Sequence, residues 1–568
     1  MAPLLRCFLA AQLLLASALV VPVPPSCSSA PSNCLGALAA AVSACAAARA
    51  PCTIALSAGE YWMSGAPQTS WLQIAGVSDL AVVGAGPGRT VLMAADLSHL
   101  VTFYRVVNAS FAELTVDMPR PPFTLAHVRS SSGGVSTLDF DAAAFPVNLT
   151  QYSYLANCQA IIEYNLSSNR LSRGGVDDYF LPPAQKSISY SGAYPALTMT
   201  INVDLKPGID VIVRHQVYSF DVFSAVDSDD IALRNVTILA GGGMGFLSSN
   251  VSGILLDGFK IVKAPGRVMS ITADGFHASN TRGGAILVRR SVFEGQGDDG
   301  INVPTIYADI ESISADRRTL TVGKDGALGA NFFVFGAAAP LNFFNRSSLL
   351  PLGTGVVAAL APPATVTLVD PLPADVGLFD LVNNAAAYAD YVEVTDSVFK
   401  DNRARGALLK SSNVYAARNV FDHTTGPAIK TESDGCYWFE GHPVKNWTVA
   451  NNTFIGCNYA TAATPGDIYV DNAVPVFVGG KPTTTCAVFS AATIHSHLVI
   501  TGNQFFQDAG QSAVFAFAAD DIDVSGNTIT RAAGTPVPAA GDLVGVGCTR
   551  TQAAGNTCNG AACKIAGL

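Results

Sequence analysis

The sequence predicts an all-β protein: a parallel β-helix with an N-terminal capping helix and two small inserted β-domains. Three observations predict it. An apolar strand pattern recurs with a small or polar residue at one fixed place, an alanine-rich segment with helical spacing precedes the first strands, and two long stretches interrupt the recurrence.

Taken in order, residues 1–21 (MAPLLRCFLAAQLLLASALVV) set Arg6 before an apolar run, and Pro22, Pro24 and Pro25 follow. This is the pattern of a secretory signal peptide cleaved between Ala18 and Pro22. A membrane anchor is the alternative, although the run is short for a span, and no later stretch is long and apolar enough to cross a bilayer.

Residues 22–118 read as the cap and the first rungs. The segment CLGALAAAVSACAAARAPC (Cys34–Cys52) is helical in spacing and would cover the strand edge that an open solenoid end exposes. Residues 119–206 and 304–384 carry hairpin-like alternation, as in TLTVGKDG, FFVFG and ATVTLVDPLP. They are too long for plain loops and read as inserted β-domains, the second barrel-like.

The central rungs (207–303) and the C-terminal rungs (385–540) carry the repeat, for example IALRNVTIL, AILVRRSVF, VYAARNVF, WTVANNTF and LVITGNQF. With Asn235, Gly258, Ser291, Ser397, Asn419, Asn452, Asn503 and Asn527 as register marks, the steps are 23, 33, 106, 22, 33, 51 and 24 residues. Steps of 22 to 24 match one rung, and longer steps are rungs with enlarged loops or insertions. A β-sandwich would need no shared register residue. Residues 541–568 form a cysteine-rich tail.

The 568 residues carry a net charge of −10 with only 13% charged side chains, which suits a large core and argues against a polyanionic partner such as nucleic acid. Eight N-x-S/T sequons, at Asn108, Asn148, Asn165, Asn235, Asn250, Asn345, Asn446 and Asn451, fit a secreted chain. Of the twelve cysteines, eleven follow the leader; those near the two ends read as disulfide staples, and the odd number leaves at least one thiol unpaired or intermolecular. No CxxC pair or nearby histidine set suggests zinc.

The turn after the register strand also repeats around a glycine, as GMGFLS (Gly243–Ser248), ADGFHA (Ala273–Ala278), DDGINV (Asp298–Val303), ARGALL (Ala404–Leu409) and TTGPAI (Thr424–Ile429). The residues before the glycines, Met244, Asp274, Asp299, Arg405 and Thr425, form one column on rungs spaced ~4.7–4.9 Å apart. The glycine suits a bend of positive φ that lifts its neighbour to the surface.

Asp-Asp occurs four times. Asp229/Asp230 and Asp520/Asp521 introduce register strands and read as turn residues, and Asp177/Asp178 lies in the first insert. Asp298/Asp299 differs: it follows its strand and stacks on Asp274. Three carboxyls so close cannot all ionise at neutral pH, and a retained proton beside ionised neighbours is what glycosidic cleavage requires. A Ca²⁺ site and a plain polar turn are the competing readings.

Candidate substrate-binding residues share this face. His277 and Asn302 lie three positions past the column aspartates, Arg403 and Arg405 sit in DNRARG, and Lys410 and Lys430 follow in the next strands. Trp438 and Glu440, in CYWFEG, offer a ring to stack on a sugar and a carboxylate to bind its hydroxyls. Packing or solvation is the alternative for each.

The stretches APGRVMSITADGFHASNTRGGAILVRRSVFEGQGDDGINV (Ala264–Val303), FKDNRARGALL (Phe399–Leu409), FDHTTGPAI (Phe421–Ile429) and WFEG (Trp438–Gly441) resemble the α-1,3-galactosidases of glycoside hydrolase family 110. GGGMGF (Gly241–Phe246) and Arg214/His215 fit the same pattern upstream. The resemblance implies a right-handed parallel β-helix in the pectin-lyase-like superfamily, with two small β-barrel inserts. It also implies hydrolysis of terminal α-1,3-linked galactose with inversion and without metal or cofactor. Catalytic aspartates then fall on Asp274, Asp298 and Asp299, with Asp274 favoured as acid and the pair as the base side.

A polygalacturonase-like hydrolase is the closest competitor, but its Gly-His-Gly and Arg-x-Lys signatures are missing. A secreted β-helix that binds carbohydrate without turnover is the non-enzymatic alternative. The expected partner is a carbohydrate, with neither nucleic acid nor, once the leader is removed, a membrane; the sequence does not set the oligomeric state.

Overall fold

The structure, a computed structural model, describes residues 19–23, 33–64, 70–173, 179–194, 196–323, 336, 338–361, 364–460 and 465–568. Most of the expected leader, residues 1–18, lies outside the described residues, as does Asp177/Asp178. No described helix is long and apolar enough to cross a membrane. The described residues divide into two compact units, one within 1–170, 178–247 and 253–273, the other within 171–177, 248–252 and 274–568.

The first unit opens with parallel β-helix rungs. Leu19–Val23 pairs with Cys52–Leu56, then Ser78–Val83, Val107–Asp117 and Asp229–Ile238 follow in one parallel ladder. A second ladder joins Ser70–Ala75, His99–Tyr104 and Phe223–Val226. Alternation dictates this arrangement: in CTIAL every second side chain is buried.

The expected cap is the helix Leu35–Ala48, which buries Leu38, Ala41, Val42 and Cys45. Its alanines supply helix propensity, and the chain leaves it through Arg49 in the left-handed region. A Cys45–Cys52 disulfide ties it to the first rung. The first insert is an eight-stranded antiparallel sheet running from Phe123 to Arg214 around Val128, Leu138, Ile161 and Met199. The resemblance implied a barrel here, but no closure is seen among the described residues.

The second unit carries three long parallel ladders. One runs from Ala285–Arg289 through Tyr391–Thr395, Val414–Ala417, Lys445–Ala450 and His495–Thr501 to Ala519–Ser525 and Thr549–Gln552. The second begins at Val292–Glu294 and continues through Val398–Lys400, Val420–Asp422, Thr453–Ile455 and Gln504–Gln507. The third joins Phe276–Ser279, Ile301–Asn302, Ala407–Leu408, Ile429–Asp434, Gly466–Val478 and Ser512–Phe517.

The register marks become a buried polar ladder. The Asn419 amide donates to Asn452 Oδ1 at 3.0 Å, Asn452 to Asn503 and Asn503 to Asn527 at the same distance, and Asn556 extends the row. Each Oδ1 also accepts the backbone N–H of the preceding asparagine, so the turns are locked in register. Beside it, Phe293, Phe399, Phe421, Phe454 and Phe505 stack nearly parallel with centroids 4.6 to 5.2 Å apart. Rung spacing sets this distance.

The second insert is a closed six-stranded barrel between Ala308 and Asn384, filled by Ile310, Leu320, Leu341, Phe343, Val366 and Val382. Besides the capping disulfide, Cys436–Cys486 and Cys558–Cys563 are bonded, while Cys158, Cys457 and Cys548 are free thiols.

Candidate active site

The third ladder of the second unit builds the site. Phe276, Ile301, Ala407, Ile429 and Ile468 pair in one inward column, so the next residues, His277, Asn302, Leu408, Lys430 and Tyr469, share the opposite face. Two residues before the inward column, Asp274, Asp299 and Arg405 stand on consecutive rungs. The column departs from expectation at the next rung. Ala407 pairs with Ile429, which places Pro427 beside Arg405, and Thr425 lies two residues earlier in a wider turn where its Oγ1 accepts the Ala404 N–H at 2.7 Å.

The glycines of the column also have a different cause from the expected bend. Gly275, Gly300 and Gly406 are not among the positive-φ residues. Close packing selects them: a Cβ on Gly275 would come within 2.5 Å of the Gly300 carbonyl oxygen and 2.6 Å of the Phe293 ring, and one on Gly406 within 2.6 Å of the Ala428 oxygen and of Phe421. Each glycine therefore lets one rung settle on the next and on the phenylalanine stack.

Asp274, Asp298 and Asp299 bring one oxygen each within 4.8 Å of one another. They are 5%, 7% and 2% exposed. Arg403 Nη1 lies 2.6 Å from Asp298 Oδ1. Arg405 serves Asp299, its backbone N–H donating to Oδ1 at 2.9 Å and its Nη2 standing 2.9 Å from Oδ2. Asp274 faces a histidine instead: its Oδ2 is 2.8 Å from His277 Nδ1.

Burial pushes the Asp274 carboxyl up, against the hydrogen bond from His277. It pushes Asp299 up to about 7, with Arg405 opposing and the charges of Asp298 and Asp274 assisting. Burial works to lower His277, but the contact with Asp274 outweighs it and the imidazole titrates above its usual value. Burial and the repulsion among neighbouring carboxylates thus both favour a retained proton at Asp274 and Asp299.

Next to the triad lies a buried charge network. Lys410, fully buried, places Nζ 2.9 Å from Glu440 Oε2 and 3.4 Å from Glu432 Oε2. Lys430 Nζ stands 2.9 Å from Glu432 Oε1 and 3.3 Å from Asp471 Oδ2, over the Tyr469 ring. Burial works against Glu432, yet Lys430 and Lys410 hold it down at about 2. Asn302 donates to Glu440 Oε2 at 3.1 Å, and its own Oδ1 is buried with no hydrogen-bond partner among the described residues.

The site thus unites Asp274, Asp298, Asp299, His277, Asn302, Arg403 and Arg405, and places Lys430 and Glu440 in the adjoining network. Trp438 is different: its backbone N–H caps Asp434 at 2.8 Å and its ring meets Tyr437 edge-on, and no hydrogen bond or ring contact ties the indole to the aspartates among the described residues. Glu432 and Asp471 were not anticipated. The signal for Glu432 was the alternation K-T-E-S-D from Lys430, which keeps Glu432 and Asp434 on the lysine's face, and Asp471 pairs with Glu432 on the next strand. Three converging carboxylates could also serve a hard cation, but Arg403 and Arg405 already supply two positive charges to the pair.

No protein-family model matches the chain. It is 32% identical over 269 residues to a protein named alpha-1,3-galactosidase A from Shewanella woodyi, covering 46% of this chain and 44% of that protein. It is 27% identical over 363 residues to an alpha-1,3-galactosidase B from Akkermansia muciniphila, covering 61% and 45%. Among solved structures, the Agl-KA catalytic domain is similar with a TM-score of 0.45 and 12% identity, over 97% of this chain and 68% of that one. The mannuronan C-5 epimerase AlgE6 A-module of Azotobacter vinelandii gives 0.41 and 13%, over 93% and 95%. The chain spans about half the length of the curated relatives it matches, and by sequence it is a homologue of proteins named alpha-1,3-galactosidase.

Proposed function

We propose that the chain is a glycosidase that removes terminal α-linked galactose, α-1,3-linked in the first instance, by acid/base hydrolysis at Asp274, Asp298 and Asp299. One observation carries the reading: two arginines pair with Asp298 and Asp299, whereas the side-chain partner of Asp274 among the described residues is His277. The arginines therefore favour the pair as carboxylates, while burial of Asp274 favours a retained proton on the Asp274–His277 side. The names of the relatives support the choice of sugar.

In this mechanism Asp274 protonates the glycosidic oxygen, the bond from the anomeric carbon to that oxygen breaks, and the remainder leaves as a neutral alcohol. Water adds to the anomeric carbon and gives its proton to the Asp298/Asp299 side. Arg403 and Arg405 hold those carboxylates in place, and Asn302 braces Glu440 beside them. The depth of the three carboxyls supports exo-action, since a chain end reaches a buried site more readily than a chain interior does.

Inversion rests on the family resemblance. One oxygen from each carboxyl of the triad lies within 4.8 Å of the others, so the three converge on one position. Secretion is part of the proposal, supported by residues 1–21, the eight sequons and the disulfides.

The test is an assay of the purified protein on α-1,3-galactosides and on polygalacturonate, with Asp299→Asn as control, following the fresh product by proton NMR. Release of β-galactose first supports the reading and inversion together. Cleavage of polygalacturonate alone, or undiminished cleavage by the variant, removes it.

A further inference from the structure

We propose that a second saccharide-binding site lies in the cavity between the inserted barrel and the rungs it interrupts, whose buried wall is polar and uncharged and suits a neutral, polyhydroxylated ligand. The cavity measures about 900 Å³ and none of the proposed catalytic residues lines it. That volume is within the ~300–1,000 Å³ of small-molecule sites. The barrel contributes Asn342 and Thr354, the connection that follows it Tyr388, and the turns between rung strands Ser412 and His442.

Hydrogen bonding in the wall fixes the histidine. Ser412 Oγ accepts the Lys445 N–H at 3.0 Å and stands 3.0 Å from His442 Nε2. His442 is thereby held by Ser412 at Nε2. Its Nδ1 is buried with no hydrogen-bond partner among the described residues, and burial keeps the ring neutral, with a pKa lowered to about 3.

The surroundings select the ligand class. Tyr388 meets the His442 ring edge-on at 4.3 Å and is held by its hydroxyl, which donates to Asn383 Oδ1 at 2.9 Å. A fixed aromatic, an amide, hydroxyls and a neutral imidazole match the alternating C–H faces and hydroxyls of a sugar. The charged lining residues Arg282, Asp390 and Lys445 are exposed, so the buried part of the wall is uncharged.

This inference rests on the chemistry of the cavity and not on the triad, so the two fail separately. The test is calorimetric titration of the full chain carrying Asp299→Asn with galactose and with α-1,3-galactobiose. Two classes of site are expected, one of them weakened about tenfold or more by His442→Phe and by the cavity-filling Thr354→Trp, with the other unchanged. In the protein without substitutions, isotope-labelled histidine should show the His442 ring resonances moving as galactose is added, a readout that does not depend on either variant folding. Neither variant should alter kcat/KM on an aryl α-galactoside. A resonance that does not move, a titration insensitive to both folded variants, or activity lost in step with binding would each overturn the second site. Saccharide binding here in a protein without galactosidase activity would leave the site standing and remove the proposed reaction.

Discussion

Arg405 meets Asp299 twice, through its backbone N–H to one carboxylate oxygen and through its guanidinium to the other. Both donors come from one residue on the adjacent rung, 106 positions away in sequence, so the carboxylate is oriented as well as neutralised. Replacing Asp299 or Asp274 by Asn should lower kcat/KM on an α-galactoside by ~10³-fold or more with circular dichroism unchanged, a loss in the range of general acid–base contributions. Retained activity in both variants would exclude the triad from the chemistry.

The same contact sets a pH dependence. Asp299 is raised to about 7, so it is protonated below that value and ionised above it. Since the base side must be ionised, kcat/KM should fall as pH drops below about 7. Arg405 opposes the shift, so Arg405→Gln should move this acid limb to higher pH while lowering the maximum rate. A pH–rate profile of both proteins measures this, and an unmoved limb would assign it to another group.

Lys410 is the fully buried cation between Glu440 and Glu432. Lys410→Met leaves two buried carboxylates short of a partner and should cost ~3–5 kcal/mol, the usual penalty for breaking a buried pair. A denaturant melt gives the value; a loss below ~1 kcal/mol would mean that water reaches the network.

The asparagine ladder makes a separate prediction about the fold. Asn452→Ala removes the acceptor for the Asn419 N–H and side-chain amide and one donor to Asn503, so at least ~1–3 kcal/mol of stability should be lost with activity per folded molecule unchanged. Thermal unfolding together with an activity assay separates the two effects.

Much of this was readable in the sequence because a parallel solenoid converts equal spacing into contact. Asn419, Asn452, Asn503 and Asn527 mark one internal row, and Asp274, Asp299 and Arg405 fall into one column for the same reason. Thr425 broke the reading: aligning glycines assumes turns of equal width, and the turn before Ile429 is two residues wider. The glycines were located by sequence, but their cause was not, since close approach to the next rung is a property of the stack. The Lys410–Glu432–Glu440 cluster escaped because its members come from a strand, the next strand and the loop beyond it, with no repeated spacing.

A chelator should leave the activity unchanged, since arginines supply the positive charge at the carboxylate pair. An assay in excess EDTA, then with Ca²⁺ restored, checks this; loss and recovery would make the three aspartates a cation site.

The closed barrel enters the chain between Asn302 and Tyr391, yet Ile301 and Ala407 on either side of it pair as ordinary neighbours. Evolution is thus free to resize, replace or lose that excursion without disturbing the adjacency of Asp299 and Arg405. On the proposed assignments, bond breaking and ligand preference occupy separately exchangeable parts, so the barrel can change while the aspartate column is kept.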